Sequence, residues 1–329
     1  MKTDPSLRLR IADVGVSLDL DGVRLDRKPG FYGPFFSGDA EADVRLKVIE
    51  GDPSPRPSTP FFEMPDHWRL HREERRQVLE MYDPTMGRPN RTADLDADLS
   101  EGTVTLGPEG RRDGRGLPVF ERPARRSLAT ILDPLLRILL IDRLGRADGL
   151  MLHAAAFDVG GIGLVFAGPS GAGKSTLSNL FSDHCPGATV LGDEHVILRR
   201  RADQWTVHGT PWPGMGFSVA PGGVPLHRVY LIHHDRRNRV YGQPASANFS
   251  ELLAQTFLPR WNSQATQETL SRLGDLAGEC TQKLGFVNTP EIIDYIVKEV
   301  TNQALSPSGY ACHPSPTRGR GEAERSEAG

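Results

Sequence analysis

Apolar and polar residues alternate along the first third of the chain. The alternating apolar positions are Leu7, Leu9, Ile11, Val14, Val16, Leu18, Leu20, Val44, Leu46 and Val48. A period of two turns one side of each segment towards a core, which is typical of half-buried strands. Segments rich in Gly and Pro separate these runs and are predicted to be loops. Residues 1–125 are therefore predicted to form a β-rich N-terminal domain.

The pattern becomes helical near residue 127. In "DPLLRILLIDRLGRADG", apolar residues occupy nearly every face, with Asp133 as the predicted N-cap, Pro134 as the first helical residue and Gly145 just past the end. A helix of this kind is expected to be buried between layers. We predict a second domain over 126–303. Residues 304–329 are rich in Pro, Gly, Ser and Arg and are predicted to be a disordered tail.

A phosphate-binding loop follows two apolar segments that are predicted to be strands. "LMLHAAAFDV" and "IGLVFAG" flank a Gly-Gly turn, and the second runs into "GPSGAGKST", which matches G-x-x-x-x-G-K-[ST]. In this pattern backbone N–H groups surround a phosphate, the lysine reaches the β and γ phosphates, and the hydroxyl binds Mg²⁺. We predict that ATP and Mg²⁺ bind at Gly168, Pro169, Ser170, Gly171, Ala172, Gly173, Lys174, Ser175 and Thr176.

Two carboxylates follow the next predicted strand. Asp193 and Glu194 in "VLGDEHVIL" lie about twenty residues beyond Lys174, where a second acidic element completes a nucleotide-bound metal site. Ser175, Asp193 and Glu194 are the expected metal ligands, and Asp193 is the expected base. His153 is a third catalytic candidate. A simple turn at Asp193 and a buried core histidine at 153 are the alternatives, and which of Asp193, Glu194 and His153 is the base stays open.

The order of these motifs resembles the HPr kinase/phosphorylase family, whose catalytic domain is similar to that of phosphoenolpyruvate carboxykinases. The resembling segments are "LHAAAFDVGGIGLVFAGPSGAGKSTL" and "VLGDEHVIL". The resemblance implies an α/β fold, a P-loop kinase domain of this type preceded by the smaller β-rich domain. It also implies catalytic or metal-binding roles for His153, Ser175, Asp193 and Glu194, beside Lys174 in the loop.

Two departures from the family shape the expected substrate. The family's Asp-Asp pair is Asp193-Glu194 here, and no counterpart of the family's E-x-R-G-L-G signature follows residue 200. HPr itself is therefore not the expected substrate. The chain is similar to single-module HPr-kinase-like proteins, some of which phosphorylate peptides. We expect a protein or peptide acceptor with a Ser or Thr hydroxyl.

Two further features of the second half allow alternative interpretations. Pro211 and Pro213 fix a loop around Trp212, which either closes over the bound substrates or packs in the core. The run "DRRNR" over 235–239 follows a predicted strand. Its arginines either meet the transferring phosphate or form a solvated loop.

Charge and composition exclude several other classes. Lys and Arg number 39 against 42 Asp and Glu, a net charge of −3, so neither nucleic acid nor membrane is an expected partner. The N-terminus lacks the apolar core of a signal peptide and no 18-residue apolar run occurs, which predicts a cytoplasmic protein. The chain has no N-K-x-D or L-S-G-G-Q string, which disfavours GTPases and ABC ATPases.

The sequence therefore favours an ATP-dependent serine/threonine kinase. The first alternative is a non-catalytic ATP-binding module that orders a partner protein. Phosphoenolpyruvate carboxykinase chemistry comes third, and homo-oligomerisation stays open.

Overall fold

The computed structural model describes residues 6–38, 41–83, 87–112, 115, 118–216 and 218–304. The helices are α1 (Leu128–Leu132), α2 (Leu135–Arg146), α3 (Lys174–His184), α4 (Ala245–Leu253), α5 (Ser263–Glu279) and α6 (Glu291–Ala304), besides a 3-10 helix over Gly30–Phe35. The strands are β1 (Ser6–Ile11), β2 (Val14–Asp21), β3 (Val44–Glu50), β4 (Phe62–Met64), β5 (Trp68–Glu73), β6 (Arg76–Tyr82), β7 (Pro89–Asp96), β8 (Glu101–Leu106), β9 (Glu109–Arg112), β10 (Pro118–Glu121), β11 (Gly149–Val159), β12 (Gly163–Ala167), β13 (Ala188–Gly192), β14 (His195–Arg201), β15 (Gln204–His208), β16 (Gly223–His234), β17 (Arg239–Tyr241) and β18 (Thr281–Phe286).

The first sheet is built from the alternating segments near the N-terminus. Its eight strands lie in the order β1-β2-β3-β8-β7-β6-β5-β4, and β3 is parallel to both of its neighbours. The pairing sets Leu9 opposite Val16 and Leu18 opposite Leu46, all buried. The predicted strands at these positions are confirmed, because the alternation turns one face of each strand to a common core.

The second sheet carries the phosphate-binding loop. Its path is β12-β11-β14-β15-β16-β18-β17, β13 also pairs with β11, and β12 also pairs with β16. The pairing from β12 through β11, β14, β15 and β16 therefore returns to β12. The fold is mixed α/β with several sheets. In the described residues no helix is both long and apolar enough to cross a bilayer.

The long helix α2 is buried, as predicted, but both of its predicted ends are wrong. It begins at Leu135, after Pro134, and the Asp133 carboxylate accepts hydrogen bonds from Trp212 Nε1 and Tyr32 Oη instead of capping the helix. Gly145 lies inside the helix. A Cβ there would come within 2.9 Å of Thr269 Oγ1, so the glycine permits close packing of α2 against α5.

Residues on one face of β11 belong to two different hydrophobic clusters. Met151 belongs to a hydrophobic cluster with the first sheet and α2, whereas Ala155 and Phe157 belong to a cluster with α3 and α6. His153 lies between them, because residues two apart share a face of a strand. The junction of the two clusters therefore falls at His153, near the N-terminus of α3.

The two halves of the chain share one hydrophobic cluster. It includes Leu9 and Leu46 from the first sheet, Leu139 from α2 and Ile197 from β14. The domain boundary between residues 125 and 126 stays a prediction. The predicted disordered tail lies almost entirely outside the described residues, since only Ala304 of 304–329 belongs to them.

Candidate active site

The phosphate-binding loop joins β12 to α3 and needs its glycines. Gly171 and Gly173 have φ of 80° and 103°, in the left-handed region that side chains rarely adopt. A Cβ on Gly173 would also lie 2.5 Å from Cζ of Phe286. The strand, loop and helix order predicted around the motif is confirmed.

Lys174 lies in a pocket made of backbone carbonyls. Its Nζ donates to the carbonyl oxygen of Gly168 at 2.7 Å and approaches that of Pro169 at 3.4 Å, and the residue is 8% exposed. Burial lowers the pKa of Lys174, and the charge of Glu194 opposes that shift. In the described part of the chain Lys174 forms no ion pair with a carboxylate, so its ammonium group is suited to binding an anion such as a phosphate.

Asp193 and Glu194 form a bend between two strands that pair with the same edge of β11. Ala156 faces Gly192 before the bend and His153 faces His195 after it. The predicted position of the two carboxylates at a strand end is confirmed.

Glu194 is brought to His153. Its Oε1 lies 3.4 Å from Nε2 of His153, and the two side chains are 41% and 32% exposed. The same carboxylate acts electrostatically on Lys174. The structure thus brings three of the predicted residues together: Lys174, His153 and Glu194. A solvent-accessible carboxylate beside an imidazole can accept or relay a proton.

Asp193 has a different environment. It is 3% exposed, its Oδ1 accepts a hydrogen bond from the Gly214 N–H at 2.6 Å, and its Oδ2 accepts one from the Gly216 N–H at 2.7 Å. A Cβ on Gly216 would lie 2.7 Å from Oδ2. Asp193 therefore fastens the loop over 210–216 to the end of β13. Sequence reasoning missed this contact, because the two glycines lie more than twenty residues away.

The oxygen ligands available near the loop fit a magnesium ion held jointly with a phosphate. Ser175 lies in the first turn of α3 and is exposed, and the Glu194 carboxylate is partly exposed. The described residues contain no group of three or more His, Cys, Asp or Glu that forms a metal site by itself. Mg²⁺ is commonly bound by one or two protein oxygens together with substrate phosphates and water.

His234, at the end of β16, lies beside the phosphate-binding loop, and the sequence did not predict this contact. Because β16 runs parallel to β12, its last residues lie beside the loop. His234 Nε2 is 3.2 Å from the carbonyl oxygen of Gly171. The three arginines that follow are all exposed, and one of them, Arg239, is paired with Asp235 at 2.7 Å.

Trp212 packs in the core, which was one of its two expected roles. It is 6% exposed, and its Nε1 donates to Asp133 Oδ1 at 2.7 Å and to Tyr32 Oη at 3.0 Å. The neighbouring His195 ring stacks on Phe257 with centroids 5.0 Å apart. Burial, with the nearby charges of Arg137 and His153, lowers the pKa of His195 to about 4, so that this ring is neutral at pH 7.

Comparisons with known proteins add little to this geometry. No protein-family model matches the sequence, and no curated protein matches it. Among solved structures, the chain is similar to the HPr(Ser) kinase/phosphatase from Coxiella burnetii, with 13% sequence identity and a TM-score of 0.28 over 47% of this chain and 99% of that chain. The two proteins are distant in sequence and in structure.

Proposed function

We propose that this chain is an ATP-dependent phosphotransferase of the HPr-kinase-like type, which transfers the γ-phosphate of ATP to a Ser or Thr hydroxyl of a protein or peptide other than HPr. One observation carries the proposal: Glu194 lies 3.4 Å from His153 and acts on the charge of Lys174 in the phosphate-binding loop. The candidate phosphate-binding loop therefore lies close to a carboxylate and an imidazole, and this proximity supports the proposal because phosphoryl transfer to a hydroxyl uses bound phosphates and a base for the hydroxyl proton.

The loop over 168–176 binds and positions the phosphates of ATP. The backbone N–H groups over 168–176 and the start of α3 hold the phosphates, and the Lys174 ammonium exchanges its carbonyl partners for phosphate oxygens. The Ser175 hydroxyl is the proposed protein ligand of Mg²⁺, which supplies charge neutralisation to the phosphates when bound. The Glu194 carboxylate, expected from the sequence to be a metal ligand, is assigned to proton transfer instead, and both oxygens of Asp193 already accept backbone hydrogen bonds.

Proton transfer is assigned to Glu194 with His153. Glu194 is exposed enough to meet an acceptor hydroxyl, and His153 Nε2 is close enough to hold or pass on the proton. The sequence favoured Asp193 for this role. Its burial and its two hydrogen bonds from Gly214 and Gly216 favour a positioning role instead.

The anchored state of Asp193 also favours a second candidate, a non-catalytic module in which ATP orders a partner protein. In that case the loop over 210–216 is a fixed structural element and no carboxylate needs to accept a proton. The two candidates differ in one measurement. With γ-labelled ATP and Mg²⁺, a kinase transfers label to an acceptor or slowly to water, whereas a module that only binds ATP releases no label.

A further inference from the structure

A cavity of about 640 Å³ opens between the first sheet and the second half of the chain. This volume falls within the usual range of ligand sites. Its lining residues come from β4, β5, β6, β7, the segment before α2, α2 itself, β11, β14 and the segment between α4 and α5.

The cavity begins next to the candidate catalytic pair. Met151 in its lining precedes His153 by two residues on the same face of β11. His195, also in the lining, is paired directly with His153 across β11 and β14 and follows Glu194 in the chain. These two lining residues place one end of the cavity beside His153 on β11.

Arg137 gives the cavity a positive charge without a carboxylate partner. Its Nη1 lies 3.5 Å from Nε2 of His195, its guanidinium carbon lies 5.8 Å from the centre of the Trp212 ring, and its Nε is buried without a hydrogen bond. In the described part of the chain Arg137 forms no ion pair. The Asp133 carboxylate already accepts hydrogen bonds from Tyr32 and Trp212. A half-buried, uncompensated guanidinium is costly and suits a carboxylate ligand.

Arg91 and Arg260 add to this charge. The Arg91 guanidinium donates to the backbone carbonyl oxygens of Thr130 and Asp133, and Arg260 is exposed at the rim. Among the described residues that line the cavity, Asp133 is the one carboxylate. The lining therefore carries a net positive charge.

An aromatic cluster forms the apolar wall. Phe62 and Trp68 are stacked with centroids 5.5 Å apart, and the Trp261 ring meets both edge-on at 5.7 and 5.6 Å. Met64 beside them is 48% exposed. This wall offers a contact surface for an apolar or aromatic group.

We infer that this cavity binds the phosphate acceptor, and that the acceptor is a peptide with a carboxylate and an apolar side chain close to its hydroxyl. The carboxylate pairs with Arg137, the apolar group packs on the aromatic wall, and the hydroxyl faces Glu194 and His153. The inference rests on the proposed function. It adds the class of substrate and the residue that selects it.

Binding of fluorescent peptides tests the inference without any need for catalysis. Short serine peptides, acetylated and amidated, carry Glu or Gln on one side of the serine and Phe or Ser on the other. A further set has a free C-terminal carboxylate and no acidic side chain. Comparison of the two sets shows whether the cavity binds the carboxylate of a side chain or that of the C-terminus. We expect the peptides with both a carboxylate and Phe to bind best. Arg137→Gln should weaken that binding by about tenfold or more, because a charge-assisted hydrogen bond is lost.

Two further variants test whether an effect of Arg137→Gln is specific to the charge at this position. Arg8→Gln, at an exposed arginine of β1, is the matched control and should change nothing. Arg137→Glu should reverse the preference towards peptides with Lys in place of Glu. Peptide binding that is equal in Arg137→Gln and the wild type, or the absence of binding by every peptide, would overturn the inference. Peptide binding without label transfer from ATP would contradict only the proposed phosphotransfer.

Discussion

At the scale of single residues, Lys174 is the side chain on which nucleotide binding depends. Lys174→Ala should abolish the thermal stabilisation by ATP and Mg²⁺ while the ligand-free protein melts as before. At a ligand concentration about 100-fold above the dissociation constant, binding raises the free energy of unfolding of the wild type by about 2.7 kcal/mol. A thermal-shift measurement detects a change of this size easily. Lys298→Ala, at an exposed lysine of α6, is the control and should retain the full shift. An unchanged shift in Lys174→Ala would show that the loop is not the nucleotide site.

The division of work between the two carboxylates gives a second prediction. Glu194→Gln should lower phosphate transfer by about 10²- to 10⁴-fold, as loss of a base does, with a smaller change in ATP affinity. His153→Ala should lower transfer as well, because its ring lies 3.4 Å from Glu194. Single-turnover transfer and ATP binding are to be measured on the same preparations. Full activity in Glu194→Gln and in Asp193→Asn would show that neither carboxylate takes part in the transfer.

At the scale of elements, the loop over 210–216 is held by Asp193. Asp193→Asn replaces one acceptor oxygen by an amide that faces a backbone donor, so we expect a loss of about 1–3 kcal/mol in the free energy of unfolding. Proteolytic cleavage within this loop should become faster. Asp183→Asn, at an exposed residue of α3, is the matched control. Unchanged stability and cleavage in Asp193→Asn would mean that the two hydrogen bonds do not hold the loop.

The start of β14 gives a pH-dependent prediction. Burial, followed by Arg137 and His153, lowers the pKa of His195 from 6.5 to about 4. Between these two pH values the unfolded state therefore binds more protons than the folded state. The contribution of the neutral His195 to the free energy of unfolding is fully present above about pH 6.5 and is lost as the pH drops towards 4. The lowered pKa corresponds to a loss of about 3 kcal/mol in the free energy of unfolding.

His195→Gln removes this contribution and should make the fall in melting temperature between pH 6.5 and 4.5 shallower. The pKa of His208 is also lowered to about 4, so part of the fall should remain. His184→Gln, at an exposed histidine of α3, serves as the control. An unaltered slope in His195→Gln would contradict the assignment of a neutral, buried ring.

The elements differ in how much the sequence reveals. Alternation was enough for the first strands, and the loop motif was enough for the turn between β12 and α3, because both signals are local. The ends of α2 were mispredicted because Asp133 and Gly145 respond to distant partners, Trp212 and Thr269. The same holds for the anchoring of Asp193.

At the scale of the whole molecule, the cavity beside His195 has no sequence signal at all. Phe62, Arg137, Met151 and Trp261 reach it from separate parts of the chain. Their meeting depends on how the first sheet packs against α2 and β11, which no local pattern encodes. The residues of a loop motif can be named from sequence, whereas the residues of an inter-layer cavity require the fold.

The shared core predicts that the two halves unfold together. Leu9, Leu139 and Ile197 belong to one cluster, and Arg143 of α2 pairs with Asp43 at 2.5 Å across the halves. Calorimetry should therefore show one cooperative transition for the whole chain. Two separated transitions would indicate independent domains with the boundary near residue 125.

Transfer of labelled γ-phosphate is the most direct test of the proposed phosphotransferase. The wild type, Lys174→Ala and Glu194→Gln are incubated with γ-labelled ATP, Mg²⁺ and the serine peptides described above, and label on peptide and free phosphate are counted. We predict label on peptide for the wild type, none for Lys174→Ala, and a large loss for Glu194→Gln with nucleotide still bound. Bound ATP with no label on peptide or in free phosphate, in the wild type as in both variants, would contradict a kinase and leave a module that only binds nucleotide.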